Sequence, residues 1–267
     1  MRAAVLLLFA FGFAASATAQ RFAPQQDAYG YVAASGGACP AAFLDISTTG
    51  TALAITAASA SPALDDGGAV VTLALPFEYY GIARPNLVVS TNGYVAFTDD
   101  LASESGGDFS NDCSLPAHPD SGQRGGGVGS GAAVPGRVYA YHDELDGSAA
   151  GTIHTQHFAT CPRTAAFGAA EACTVIQWTG FARAGSTGAN DFEVVLYHQS
   201  FEIATLRRAV DSSAGASATI GIQNDTATSA AVDTCNGART VAATDAVCWL
   251  EPRSLIRPDA LFENGFE

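Results

Sequence analysis

From Phe43 to Ile256 the chain is cut into short runs that alternate apolar and polar residues or are simply β-branched. Turn residues bound each run, and long helical patterns are absent. That punctuation suits a sandwich or a barrel. The expected strands are Phe43–Ser47, Ala52–Ala57, Ala69–Leu75, Leu87–Thr91, Tyr94–Phe97, Val138–His142, Thr152–Phe158, Thr174–Phe181, Phe192–His198, Ile203–Arg208 and Thr219–Gln223, with a short closing strand near Ser254–Ile256. About a dozen strands are enough for two packed sheets. The fold class is therefore all-β, a two-sheet antiparallel β-sandwich of jelly-roll type. Its sharpest local signal is Asn92-Gly93 between Leu87–Thr91 and Tyr94–Phe97, which favours a type I′ turn because both central residues of that turn need positive φ.

The N-terminus sets the compartment. Met1-Arg2 precedes an apolar run from Ala3 to Ala15, and small residues end in Ala17-Thr18-Ala19. A basic start, a short apolar core and an A-x-A site read as a secretory signal peptide over residues 1–19. The run is too short for a bilayer span, so no membrane span is expected in the mature chain. Removing Arg2 with the leader takes the net charge from −14 to −15. Such acidity repels phosphate backbones and anionic lipid, which disfavours nucleic-acid and membrane-surface partners. All the strong bases are arginine, which excludes Schiff-base chemistry and a P-loop lysine.

Six cysteines, Cys39, Cys113, Cys161, Cys173, Cys235 and Cys248, in an exported chain read as a disulfide framework. Spacing alone leaves the connectivity open. The favoured pairs are Cys161–Cys173 and Cys235–Cys248, which close short loops, leaving Cys39–Cys113. No C-x-x-C spacing supports a zinc site. The connection 99–136 is long, rich in Asp and Gly, and carries Cys113. A loop of that length is functional or disordered. No repeat or change of composition divides residues 20–258, so one domain is expected there.

Three segments carry a family resemblance: Phe43-Leu44-Asp45-Ile46-Ser47-Thr48-Thr49-Gly50-Thr51; Asp65-Asp66-Gly67-Gly68 leading to Leu75-Pro76-Phe77-Glu78-Tyr79-Tyr80-Gly81; and Val88-Val89-Ser90-Thr91-Asn92-Gly93-Tyr94-Val95-Ala96-Phe97. Their order resembles a β-sandwich module of exported bacterial proteins that is distantly similar to nidogen-type extracellular domains. The resemblance extends over roughly residues 43–256. It implies a secreted, periplasmic or cell-surface protein of a Gram-negative bacterium, with a structural or adhesive role and no catalytic residues. The acidic strand end of such modules opens with Trp and two Asp; here it reads His142-Asp143-Glu144. Residues 259–267, ending Leu261-Phe262-Glu263-Asn264-Gly265-Phe266-Glu267, are similar to a short tail on exported Gram-negative proteins.

Candidate chemistry is sparse. Asp143, Glu144 and Asp146 end a strand and offer the hard oxygens that calcium takes, although no D-x-D-x-D-G loop is present. Calcium is the one cofactor the residues suggest. His154 and His157 lie an odd number of residues apart in an expected strand, so their rings point to opposite faces; His118, His142 and His198 read as isolated. No G-x-S-x-G elbow occurs, and Ser130 in the glycine run has the wrong spacing. Trp178 reads as a core residue and Trp249 as packing over the Cys248 disulfide; either could instead serve as a platform for a sugar. The expected function is non-enzymatic adhesion to, or binding of, an extracellular protein or glycan. The alternatives are a calcium-stabilised carbohydrate-binding module and a secreted hydrolase with a carboxylate pair.

Overall fold

The computed structural model describes residues 26–58, 61–102, 104, 136–166, 168, 170–226 and 228–255. The expected signal peptide, most of the connection 99–136 with Cys113, His118 and Ser130, and the C-terminal tail lie outside them.

Strands and two short 3-10 turns make up the regular structure of the described residues. In chain order the strands are β1 (Val32–Ser35), β2 (Thr51–Ala52), β3 (Thr56–Ala57), β4 (Gly67–Tyr79), β5 (Ile82–Ser90), β6 (Tyr94–Ala96), β7 (Arg137–His142) and β8 (Leu145–Asp146). They continue with β9 (Thr152–Phe158), β10 (Cys173–Arg183), β11 (Asn190–Tyr197), β12 (Ile203–Ala209), β13 (Thr219–Gln223), β14 (Ala230–Cys235) and β15 (Ala246–Leu250). One sheet runs β1-β15-β12-β11-β10-β9-β2, with β8 also paired to β10; the other runs β14-β13-β7-β6-β5-β4-β3. Every strand pairing is antiparallel.

The sheets close on a continuous apolar core. Leu87, Val89, Val95, Val138 and Ile222 from one sheet meet Ile153, Ile176, Trp178, Val194, Leu196 and Trp249 from the other. Trp178 is fully buried, stacks on Phe192 with ring centroids 5.0 Å apart, and donates its indole N–H to the Ser90 carbonyl at 2.8 Å. Trp249 is also fully buried in this core. Cys248 belongs to a second cluster, because neighbouring residues of a strand point to opposite faces. Trp249 therefore does not pack over the Cys248 disulfide, and neither indole is a sugar platform.

That second cluster lies on the outer face of the β10–β11–β12 sheet, where Cys173, Val175, Val195, Tyr197, Ala204, Leu206 and Leu250 would otherwise meet water. Residues 39–50 cover it. The expected strand Phe43–Ser47 is an irregular strap that ends in a turn at 47–50. Side chains of the sheet replace the strand partners that the strap lacks. Gln177 Oε1 accepts the Ile46 N–H at 2.6 Å, and Glu193 Oε1 accepts the Leu44 N–H at 2.9 Å. Arg208 pairs with Asp45 and lies over the Phe43 ring, 4.8 Å from its centroid.

The disulfide pattern differs from expectation in part. Cys161–Cys173 forms as expected. Cys39 pairs with Cys248, not with Cys113, and Cys248 is thereby not joined to Cys235. Cys235 is itself disulfide-bonded. The reason is topological: β1 pairs with β15 in the register Ala34↔Cys248, so the turn after β1 returns Cys39 to the same outer face. Arg163 fixes this corner from within the Cys161–Cys173 loop. Its guanidinium reaches the Pro40 carbonyl and Tyr197 hydroxyl and lies 3.1 Å from Cys248 Sγ.

The Asn92-Gly93 hairpin forms, but not with a type I′ turn. Gly93 has φ 78° whereas the φ of Asn92 is not positive, and the Gly93 N–H bonds the Ser90 carbonyl. This is a three-residue loop, a type I turn closed by a left-handed glycine. A Cβ at Gly93 would lie 2.1 Å from the Tyr141 carbonyl oxygen, so glycine is also required by contact. Primed geometry occurs instead at Tyr80-Gly81 and Asn236-Gly237, with both residues of each pair at positive φ. The expected closing strand near Ser254 is a 3-10 turn over Pro252–Leu255; the last described strand is β15, which lies between β1 and β12.

Non-reducing peptide mapping of the mature protein is expected to recover a Cys39–Cys248 cross-link and none between Cys235 and Cys248. Replacing both Cys39 and Cys248 by alanine should cost about 3–5 kcal/mol of stability, since the bridge closes most of the chain. A change in urea midpoint equivalent to less than about 1 kcal/mol would contradict the role assigned to this bridge.

Candidate contact surface and polar clusters

The β7–β8 corner does not gather its acids at one point. Asp143 is buried, with Arg183 Nε at 3.2 Å and the Ser217 hydroxyl donating at 2.6 Å. Glu144 is exposed, and Asp146, also exposed, accepts the Ser148 N–H at 2.7 Å. Among the described residues no three His, Cys, Asp or Glu side chains form a metal-ligating group. The corner is organised by Asn92 instead. Its Oδ1 accepts the Leu145 N–H at 2.9 Å, its Nδ2 donates to Asp66 at 3.1 Å, and its carbonyl meets His142 Nδ1 at 2.8 Å. The hairpin thus plugs the acidic strand end into the sheet.

The histidines divide by face. His154 lies against the strap, with its Cβ near Gly50, whereas His157 is on the opposite side of β9 and exposed. His198 is not isolated. Strand order brings it beside His157 with ring centroids 5.5 Å apart and Thr174 between them. No local pattern could reveal this, since the contact joins β9 to the end of β11 across β10.

Two buried acids have strongly altered proton affinity. Burial pushes Glu193 up to about 8, opposed by the Leu44 N–H and by Arg163 and Arg208. Burial likewise raises Glu202 to about 7, opposed by the Ala166 N–H. Each carboxylate accepts a backbone amide of a covering segment, Leu44 for Glu193 and Ala166 for Glu202. Their arrangement serves anchorage. Arg207 is fully buried too, and its Nη2 donates to the Ala140 carbonyl at 2.9 Å across the core. Burial lowers its pKa to about 10.

Exposed aromatic and apolar area gathers at the far end of the β4–β5 hairpin. Tyr29 (37%) and Ile82 (50%) are among the most exposed large hydrophobic residues. Tyr29 packs edge-on to Tyr80 at 5.1 Å and donates its hydroxyl to Glu251 at 3.2 Å. Tyr80 holds φ 48°, unusual for so bulky a residue, and its hydroxyl donates to Asp27 Oδ2 at 2.6 Å. The other oxygen of Asp27 accepts the N–H groups of Tyr29, Gly30 and Tyr31. Arg253 pairs with both Glu78 and Glu251 and lies 5.4 Å over the Phe201 ring. Tyrosine and arginine rigidly presented beside exposed aliphatic area are the composition of protein-contact hot spots. The signal in sequence was Tyr79-Tyr80-Gly81, but its partners Tyr29, Glu251 and Arg253 come from both ends of the chain.

These features define a disulfide-stapled, two-sheet β-sandwich of extracellular type. The model of the family described as NIDO related matches residues 37–251, and the chain belongs to that nidogen-related family. Searches of curated proteins and of solved structures found no match.

The shift at Glu193 predicts a pH dependence. Its folded value, about 8, lies above the ordinary 4.5, so the folded state holds the proton more tightly. This contribution is complete below about pH 4.5 and is lost as pH rises through about 8. Glu193→Gln keeps an acceptor for the Leu44 N–H and cannot ionise. It should melt higher than wild type at pH 9, by the equivalent of about 1–3 kcal/mol, with the advantage vanishing near pH 4. Parallel pH–Tm curves for the two proteins would contradict this.

Proposed function

We propose that this protein is a secreted or surface-attached module that acts by binding a protein or glycan, without turnover, and that the surface around Tyr29, Tyr80, Ile82 and Arg253 makes the contact. The family match across residues 37–251 carries this reading, because it takes in nearly the whole stapled sandwich. Disulfides support an oxidising compartment outside the cytoplasm. The hairpin-end surface supports the location: its tyrosines are fixed by Asp27 and Glu251 before any partner arrives. Fixed side chains lose little entropy on binding.

Glycan-array and cell-binding assays of the mature protein test this directly. A Tyr29→Ala/Arg253→Ala variant should bind its partner at least about 30-fold more weakly, the loss typical of a hot-spot residue. Circular dichroism must show the variant folded, because both side chains also partner the buried Glu251 carboxylate. Undiminished binding by this variant would move the contact elsewhere. Turnover of a substrate, with no partner bound, would sink the reading as a whole.

A further inference from the structure

His157, Thr174 and His198 meet at one end of the space between the sheets. Ile176 and Trp178 of β10 and Val194 and Leu196 of β11 face the inter-sheet core, and the period of two carries Thr174 and His198 to the same side. Across the gap lies Phe77 of β4, edge-on to His198 at 6.2 Å. It sits just past the irregularity at which Thr72↔Asn86 gives way to Phe77↔Arg84.

The two imidazoles converge. His198 Nε2 is 2.8 Å from Thr174 Oγ1, and His157 Nδ1 is 3.5 Å from the same oxygen. His198 is 7% exposed, and its Nδ1 has no hydrogen-bond partner among the described residues. The Pro76 carbonyl lies beside that ring. His198 thus turns Nε2, and His157 turns Nδ1, toward one point beside the Thr174 hydroxyl. Two imidazole nitrogens that converge on one point can share a transition-metal ion.

We propose that this end of the inter-sheet space binds a divalent transition-metal ion of the zinc class, with His157 and His198 as its protein ligands. Imidazole nitrogen suits zinc, copper and nickel, whereas calcium takes oxygen. Thr174 is neutral and its hydroxyl can turn aside. Exposure of His157 opens the other side to solvent, which completes the coordination shell. It shares no residue with the hairpin-end contact surface or with the acidic β7–β8 corner.

Calorimetric titration of untagged, chelator-stripped mature protein with Zn²⁺ at neutral pH tests it. One bound equivalent is expected, with no heat from Ca²⁺ at that site. His157→Ala, at an exposed position, should weaken binding by at least about 10–100-fold, the loss seen even for outer-shell partners. His154→Gln, on the opposite face of the same strand, should leave affinity unchanged. Absence of zinc binding, binding unaffected by His157→Ala, or equal loss in both variants would each overturn the proposal.

Discussion

Both faces of the β10–β11–β12 sheet are apolar, and the rest of the architecture answers to that. One face is covered by the second sheet, with Trp178, Val194 and Leu196 packed inward. The other carries Val175, Val195, Tyr197 and Leu206, and among the described residues no third sheet covers it. Burying an aliphatic side chain is worth about 1.5–3 kcal/mol, so an uncovered face of this kind would forfeit a large part of the stability of an ordinary domain. The strap 39–50 and the loop inside Cys161–Cys173 supply the cover. Neither is a strand. Their backbone amides are therefore met by side chains, Gln177, Glu193 and Glu202, that rise from the sheet and from the turn before β12.

This arrangement accounts for several of the buried polar groups. A strap without ladder partners needs acceptors for its N–H groups, and unmet buried amides cost about 1–3 kcal/mol each. Glu193 meets one at the expense of its own charge, which is why its proton affinity rises so far. Arg163 performs the complementary task, offering donors to the Pro40 carbonyl and to Tyr197. Cys39–Cys248 then fixes one end of the strap to β15. Covalent tether, buried acid and buried arginine all act on a single problem, the cover of an apolar face.

The fold was legible where periodicity is local. Thr152–Phe158 and Thr219–Gln223 match β9 and β13 residue for residue, and the other inner strands differ from their expected ranges by a few residues. Legibility failed where a run was apolar for another reason. Phe43–Ser47 has the spacing of a strand because Phe43, Leu44 and Ile46 insert into the second cluster from above, not because they join a ladder. Strand β14, Ala230–Cys235, is rich in small residues and gave no pattern. Asn92 looked like a turn residue and is one, but its side chain bridges Asp66 and Leu145, which a rule drawn from dipeptides does not contain. Cys39–Cys248 spans 209 residues and followed from β1–β15 pairing alone, so counting loop lengths favoured the wrong partners.

Chemistry was less legible than fold for the same physical reason. The residues that meet at the hairpin end, Tyr29, Tyr80 and Glu251, are distributed over nearly the full length of the described chain. The histidines that converge lie 198 − 157 = 41 residues apart, whereas the pair three apart is separated by the sheet itself. In an antiparallel sandwich, adjacency in sequence alternates faces while adjacency in space runs across strands. Spacing rules built for helices and metal loops therefore look along the wrong axis. The informative unit is the row of residues perpendicular to the strands, such as His157, Thr174 and Leu196, which the register supplies and the linear chain conceals.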